Sequence, residues 1–201
     1  ITSYLEHSSI LETAKYLEDN GFVIDYVNAR EDGLIDLGHL KSLINDKTIL
    51  VSIAAVDSEL GIRQNLDEIS KIENKILKGE YPKCYFHVDA TQAIGKIKVD
   101  FSKIDFLSMS AHKIFGMKGI GLLLKKENIV IDNLIHGGKS STDYRSGTPA
   151  LPLICSLMKS LEIIIPSIDD NYNYVGKLNK DIIDFLSKYD GVHINSTENS
   201  I

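Results

Sequence analysis

The sequence predicts a three-layer α/β/α sandwich on a mainly parallel sheet. Helical and strand patterns alternate along the chain, as repeated βα units do. Thr48 to Val56 is an almost unbroken apolar run, which marks a strand covered on both faces. The 201 residues are 43% apolar and 25% charged, an ordinary globular composition with length enough for one buried core.

Each element has a local reason. Ser8 or Ser9 caps a helix running through Glu18, with Ile10, Ala14 and Leu17 at helical spacing. Asn20-Gly21 ends it, and Phe22 to Val27 reads as a strand. Asp36 starts a second helix carrying Leu37, Leu40 and Ile44, which stops near Asn45-Asp46. The strand Thr48 to Val56 follows, then a helix from Leu66 to Leu77. Cys84 to Val88 and Ile104 to Ser110 read as strands, and Gly119 to Lys125 as another after a tight turn. Pro152 to Ile165 and Asn171 to Lys188 read as helices, and Gly191 to Ile194 begins a last strand. No repeat, low-complexity segment or long linker interrupts this order.

The net charge of −6 and the lack of any basic cluster argue against a nucleic-acid or anionic-membrane partner. The longest apolar runs, Thr48 to Val56 and Ile120 to Leu124, are too short to span a bilayer. No signal-peptide pattern stands at the start, although the chain opens without methionine. Cys84 and Cys155 show neither metal spacing nor a disulfide framework. They read as two buried, reduced thiols of a cytoplasmic protein.

The chemistry concentrates where strands end. In open α/β sheets, ligands sit at the carboxyl ends of the strands, and Glu59, Asp89 and Lys113 all follow predicted strands. Lys113 closes Ser108-Met109-Ser110-Ala111-His112 and precedes Gly116 and Gly119-Ile120-Gly121. It is either a surface lysine or a buried amine of lowered pKa. An acid and a lysine on neighbouring strand ends suit pyridoxal phosphate (PLP). The amine forms a Schiff base with the aldehyde, and the acid keeps the pyridine nitrogen protonated.

Asp89 can fill the second role, or simply cap a helix starting at Ala90, and the two roles are compatible. Gln92, one helical turn on, can donate to the phenolic oxygen or face solvent. Ser110 and His112 lie two apart on an extended strand end, so they share a face and suit a phosphate. His7 stands just before the first helix, where its ring can lie over a flat cofactor; its local sequence favours plain exposure to solvent. Arg145-Ser146-Gly147-Thr148-Pro149 precedes a helix and suits an anion, or is a helix entry with Thr148 as cap. His39, His87, His136 and His193 carry no ligand spacing, so no metal site is expected.

These segments, taken together and in order, resemble the central part of a cysteine desulfurase of the class V aminotransferase family, PLP enzymes of fold type I. The matching stretches are Glu6-His7, His87-Val88-Asp89-Ala90-Thr91-Gln92, Ser110-Ala111-His112-Lys113, Lys118-Gly119-Ile120-Gly121, His136-Gly137-Gly138 and Arg145-Ser146-Gly147-Thr148. The resemblance implies that Lys113 is the Schiff-base lysine and general acid/base. Asp89 would hold the pyridine nitrogen, Gln92 the phenolic oxygen, and Ser110 and His112 the phosphate. His7 would stack on the ring. Thr148 would reach the phosphate in the partner subunit's site, which implies a homodimer. The substrate would be L-cysteine, converted to L-alanine, with sulfur passing to an enzyme cysteine and on to a sulfur-acceptor protein.

The chain also departs from the family pattern. Two asparagines usually precede the loop glutamate, whereas this chain reads Asp57-Ser58-Glu59-Leu60-Gly61, so Ser58 stands at a cofactor-contacting position. Lys139 to Tyr144 replaces a stretch that usually holds a glycine and an arginine, and Met117 replaces a common proline. Residues 1–201 would form a PLP-binding large domain that is incomplete. A phosphate-binding threonine would lie before Ile1 and the catalytic cysteine well after the Arg145 segment, so this stretch alone would be inactive. Rival expectations are a selenocysteine lyase, another enzyme of the same family, and a non-catalytic dimerisation or binding relative. A Rossmann dinucleotide domain is disfavoured, because no Gly-x-Gly-x-x-Gly turn follows the first strand.

Overall fold

Alternation of burial along two neighbouring strands organises the molecule. In the computed structural model, which describes residues 1–77, 84–138, 142–197 and 199–201, β4 (Tyr85–Asp89) and β5 (Phe106–Ser110) both bury every second residue. Phe86 and Val88 on β4, and Leu107 and Met109 on β5, enter the core. Their alternates His87, Asp89, Ser108 and Ser110 form a polar face. β3 (Leu50–Ala54) is buried from Val51 onward, as the unbroken apolar run predicts.

The four-stranded sheet runs β3-β4-β5-β6, with β6 at Gly121–Lys125. β3, β4 and β5 pair in parallel, and β6 joins antiparallel, with Gly121 opposite Ser110. A Cβ at Gly121 would lie 2.8 Å from the Met109 carbonyl, so this close hairpin pairing requires glycine.

A short strand that the sequence reading missed, β1 (Thr2–Ser3), pairs in parallel with β2 (Tyr26–Val27). It also runs beside β3: Ile1 N donates to the Leu50 carbonyl at 2.8 Å, and Ser52 N donates to the Ile1 carbonyl at 2.9 Å. Of the expected strand Phe22 to Val27, only the end pairs: Tyr26 and Val27 stand in register with Thr2 and Ser3, and the Asp25 carbonyl accepts the Thr2 N–H at 2.9 Å. Propensity alone does not make a strand; a ladder does.

The first helix, α1 (Ser8–Asp19), is capped by His7 and not by a serine: His7 Nδ1 accepts from Ser9 N–H at 3.2 Å. α2 (Leu37–Leu43) is capped as expected by Asp36, whose Oδ1 accepts from Gly38 and His39 N–H at 2.8 and 3.0 Å. α3 spans Leu66–Leu77. No strand forms at Gly191 to Ile194, which is irregular and mostly exposed.

α4 (Leu151–Ile164) and α5 (Ile168–Leu186) run on through a 3₁₀ turn at Ile165–Ser167. The α4 cap is Ala150, with Pro152 in its first turn; Thr148 lies outside the helix and does not cap it. This 36-residue stretch is long and apolar enough, by length and composition, to cross a membrane. Here Leu157, Ile164 and Ile168 are buried, two of them within the core cluster, and α5 carries Asp169, Asp170, Lys177, Lys180, Asp181 and Asp184. Most other large apolar side chains of the stretch, such as Leu151, Met158, Ile163, Val175 and Ile182, are exposed. A Cβ at Gly95 would meet Ile164 at 2.9 Å and Ile114 at 3.0 Å, so the backbone after β4 touches α4 directly.

Candidate active site

The carboxyl ends of β4 and β5 bring the predicted acid and lysine to the same edge. Asp89 is the last residue of β4 and pairs in register with Ser108 of β5. Two residues later β5 ends at Ser110, and a 3₁₀ turn over Ala111–Ile114 carries His112 and Lys113. Ala111 and Ile114 are buried and anchor the turn. Its C-terminal cap, Phe115, has left-handed geometry at φ 65° and donates its N–H to the Ala111 carbonyl.

Asp89 is half-buried, and its Oδ1 accepts the Thr91 N–H at 2.9 Å. The residues after it form successive turns and not the expected helix from Ala90. Among the described residues no other hydrogen bond engages the Asp89 carboxylate, so Oδ2 is available to a cation. Gln92 is half-buried and accepts from Lys96 Nζ through Oε1. Ser110 makes no side-chain capping bond.

Two expectations about this edge change. Because the 3₁₀ turn begins at Ala111, strand alternation stops at Ser110, so Ser110 and His112 do not share a strand face. Lys113 and His112 are both exposed, whereas the sequence pattern suggested a buried amine. The buried positions of the turn are taken by Ala111 and Ile114, which leaves the intervening pair outward.

The turn between β1 and α1 reaches the same end of the sheet. Glu6 is buried at 6% exposure, and its Oε1 accepts from Ala54 N–H at 2.8 Å and from the Ser3 hydroxyl at 3.2 Å. Ala54 pairs in register with Asp89, so His7, the next residue, starts α1 beside that level of the sheet. Its ring is exposed. Burial raises the Glu6 pKa from 4.5 to about 7, with the charges of Asp89 and Asp57 adding to the rise. Glu6 Oε2 is buried without a hydrogen-bond partner among the described residues.

After β3, Asp57 Oδ1 accepts the Glu59 N–H at 3.1 Å and also the Leu60 N–H. It thereby fixes a turn that leaves Ser58 exposed. Thr148 is exposed, and no hydrogen bond among the described residues ties it to this cluster. Lys139, Ser140 and Ser141, part of the departure noted in the sequence, lie outside the described residues.

Sequence spacing overlooked His87. Its Nδ1 meets Ser52 Oγ at 2.8 Å and its Nε2 meets Ser108 Oγ at 3.0 Å, a side-chain chain across β3, β4 and β5. Burial lowers its pKa, against the pull of Asp89. The signal that finds it is strand alternation, which puts His87 and Asp89 on one face. A cleft of about 730 Å³ opens at the opposite end of that face, between α1 (Ile10, Ala14, Leu17) and Leu50, Ser52 and His87; neither Asp89 nor Lys113 lines it.

The donor set suits pyridoxal phosphate. A carboxylate oxygen is available for the pyridinium, an exposed amine for the aldehyde, and a carboxamide, a hydroxyl and an imidazole lie beside them. Among the described residues no group of three or more His, Cys, Asp or Glu is placed to hold a metal. Of the two thiols, Cys84 is buried as expected, but Cys155 is exposed, because α4 turns it away from the core side of Leu157.

The chain is 40% identical over 200 residues to cysteine desulfurase IscS of Buchnera aphidicola subsp. Acyrthosiphon pisum (strain 5A), covering 98% of this chain and 48% of the relative. Among solved structures, a NifS-like protein superposes with a TM-score of 0.93 at 35% identity, over 100% of this chain and 54% of that one. SspA in complex with cysteine gives 0.75 at 35% identity, over 81% and 46%. The chain thus spans about half the length of the curated relatives it matches. Its residues 1–200 match the aminotransferase class-V profile, and the chain belongs to that family.

Proposed function

We propose that this chain is the PLP-binding core of a cysteine desulfurase, which in the complete protein converts L-cysteine to L-alanine and passes the sulfur to an enzyme cysteine. The observation that carries the reading is the placement of Asp89 and Lys113 at the ends of the neighbouring parallel strands β4 and β5. When bound, PLP supplies an electron sink for the bonds around the substrate α-carbon.

The chain's own residues divide the work of binding and proton handling. Lys113 would hold the cofactor through its aldehyde and would move protons at the substrate. Asp89 would keep the pyridine nitrogen protonated through Oδ2. Gln92 would donate to the phenolic oxygen, and Ser110 and His112 would donate to the phosphate. His7 would pack against the ring. Ser58, one atom set shorter than an asparagine, leaves more room at the substrate side.

The active unit is a homodimer in which Thr148 completes the partner's phosphate site. Exposed apolar side chains on α4, Leu151, Ile154 and Met158, support an apolar contact with a second copy. A sulfur-acceptor protein takes the product sulfur. The location is cytoplasmic, in keeping with the absence of any disulfide among the described residues.

Borohydride reduction of the PLP-loaded full-length protein, followed by peptide mass spectrometry, tests the site. A pyridoxyl group on Lys113, lost in Lys113→Ala, is expected, and no adduct on a folded protein overturns the reading. Alanine released from cysteine, compared with alanine from selenocysteine, separates desulfurase from selenocysteine lyase. The Asp57-Ser58 departure keeps that second reading in play.

A further inference from the structure

Lys96 is a cation that the proposed chemistry does not use. It stands four residues after Gln92, on the turns between β4 and the 3₁₀ turn at Phe101–Lys103. Ala90 and Ala93 are fully buried there, which turns Gln92 and Lys96 together to a half-buried position. Lys96 Nζ donates to Gln92 Oε1. Its pKa is lowered, chiefly by burial and then by the charge of Lys113, so it lies within electrostatic reach of the lysine end of the site.

An ammonium has donors only, whereas a carboxamide has a donor end and an acceptor end of nearly equal size. A lysine beside a glutamine therefore decides which end faces away from it. We propose that Lys96 is a positioning residue that holds Gln92 Oε1 and so presents Nε2 to the site as a donor for an anionic ring oxygen. This rests on the reading that Gln92 faces the phenolic oxygen of PLP. Without Lys96 the carboxamide turns over at little steric cost, and its acceptor end then opposes a phenolate.

The test uses the full-length protein loaded with PLP, as wild type, Lys96→Met, Lys96→Arg, Gln92→Ala and the Lys96→Met/Gln92→Ala double variant. The readouts are the position of the visible absorbance band of the ring, the dissociation constant for PLP and the thermal midpoint of each apo-protein. Lys96→Met is expected to move the band to shorter wavelength and weaken PLP binding by about 10-fold or more, the worth of one charge-assisted hydrogen bond. Lys96→Arg restores both, and Lys96→Met adds nothing in the Gln92→Ala background.

An unchanged band in Lys96→Met overturns the proposal. So does a shift of the same size with Gln92 absent, because Lys96 then acts by its own charge or by structure. A changed apo midpoint without a spectral change has the same meaning. A wild-type protein that forms no borohydride-reducible adduct on Lys113 fails at the earlier step and removes the PLP reading itself.

Discussion

Glu6 and Phe115 are the two residues of the site whose local state is costly. The Glu6 carboxyl is raised from 4.5 to about 7 by burial, so the folded state holds a proton that the unfolded chain releases. Its contribution to stability is full below pH 4.5 and is lost as pH rises through about 7, a span worth up to about 3 kcal/mol. Gln is close in shape to the protonated form. Glu6→Gln should therefore match wild type in urea unfolding near pH 5 and exceed it near pH 8. Phe115 is 93% exposed at φ 65°, where its Cβ is strained and its ring packs on little. Phe115→Gly should raise stability by about 0.5–1 kcal/mol in the same assay, and a loss would show that the ring has a packing role. The strand-end positions of Asp89 and Ser110 were legible because alternation and the turns that follow mark where β4 and β5 stop. His87 was not, since its importance lies in Ser52 and Ser108, which are 35 and 21 residues away.

Elements were legible where the local signal is strong. Asp36 reads as a cap and acts as one, taking two amides. Asp36→Ala should cost about 1 kcal/mol, seen as a lower denaturant midpoint with an unchanged slope. The start of α1 was misread by one residue because an imidazole nitrogen can accept the amide that a serine oxygen usually takes. The start of α4 was read within one residue, but Thr148 does not cap it, because the helix begins at Leu151 with Ala150 at its cap. Gly121→Ala should push β6 off the Met109 carbonyl and destabilise by about 1–3 kcal/mol. Amide exchange would show the loss as faster exchange along Gly121–Lys125. β1 escaped notice because a two-residue strand has no periodicity; its partners β2 and β3 create it.

At the scale of the whole molecule, surface ion pairs such as Lys98–Asp169 and Lys180–Asp184 are exposed on both sides and add little. Buried Glu6 and half-buried His87 respond to pH in opposite senses. Burial lowers the His87 pKa from 6.5, so the unfolded chain takes up a proton first and stability falls as pH drops below that value. Glu6 has the reverse slope between 4.5 and about 7. The wild type should therefore show a shallow stability profile from pH 5 to 7. Glu6→Gln should unmask a profile that rises with pH, and a flat profile in that variant would remove His87 as the opposing group.

The sequence alone determined the α/β class and the family resemblance through Asp89, Gln92 and Ser110 to Lys113. Those features rest on periodicity, turn chemistry and residue types, which are local. Only the tertiary structure decided that β6 is antiparallel, that Lys113 and Cys155 are exposed, and that Glu6 is buried against Ala54 beside Asp89. It alone set His87 between two serines and Lys96 against Gln92. Each of these depends on which distant backbone lies alongside and how much water it excludes, and no local pattern encodes that.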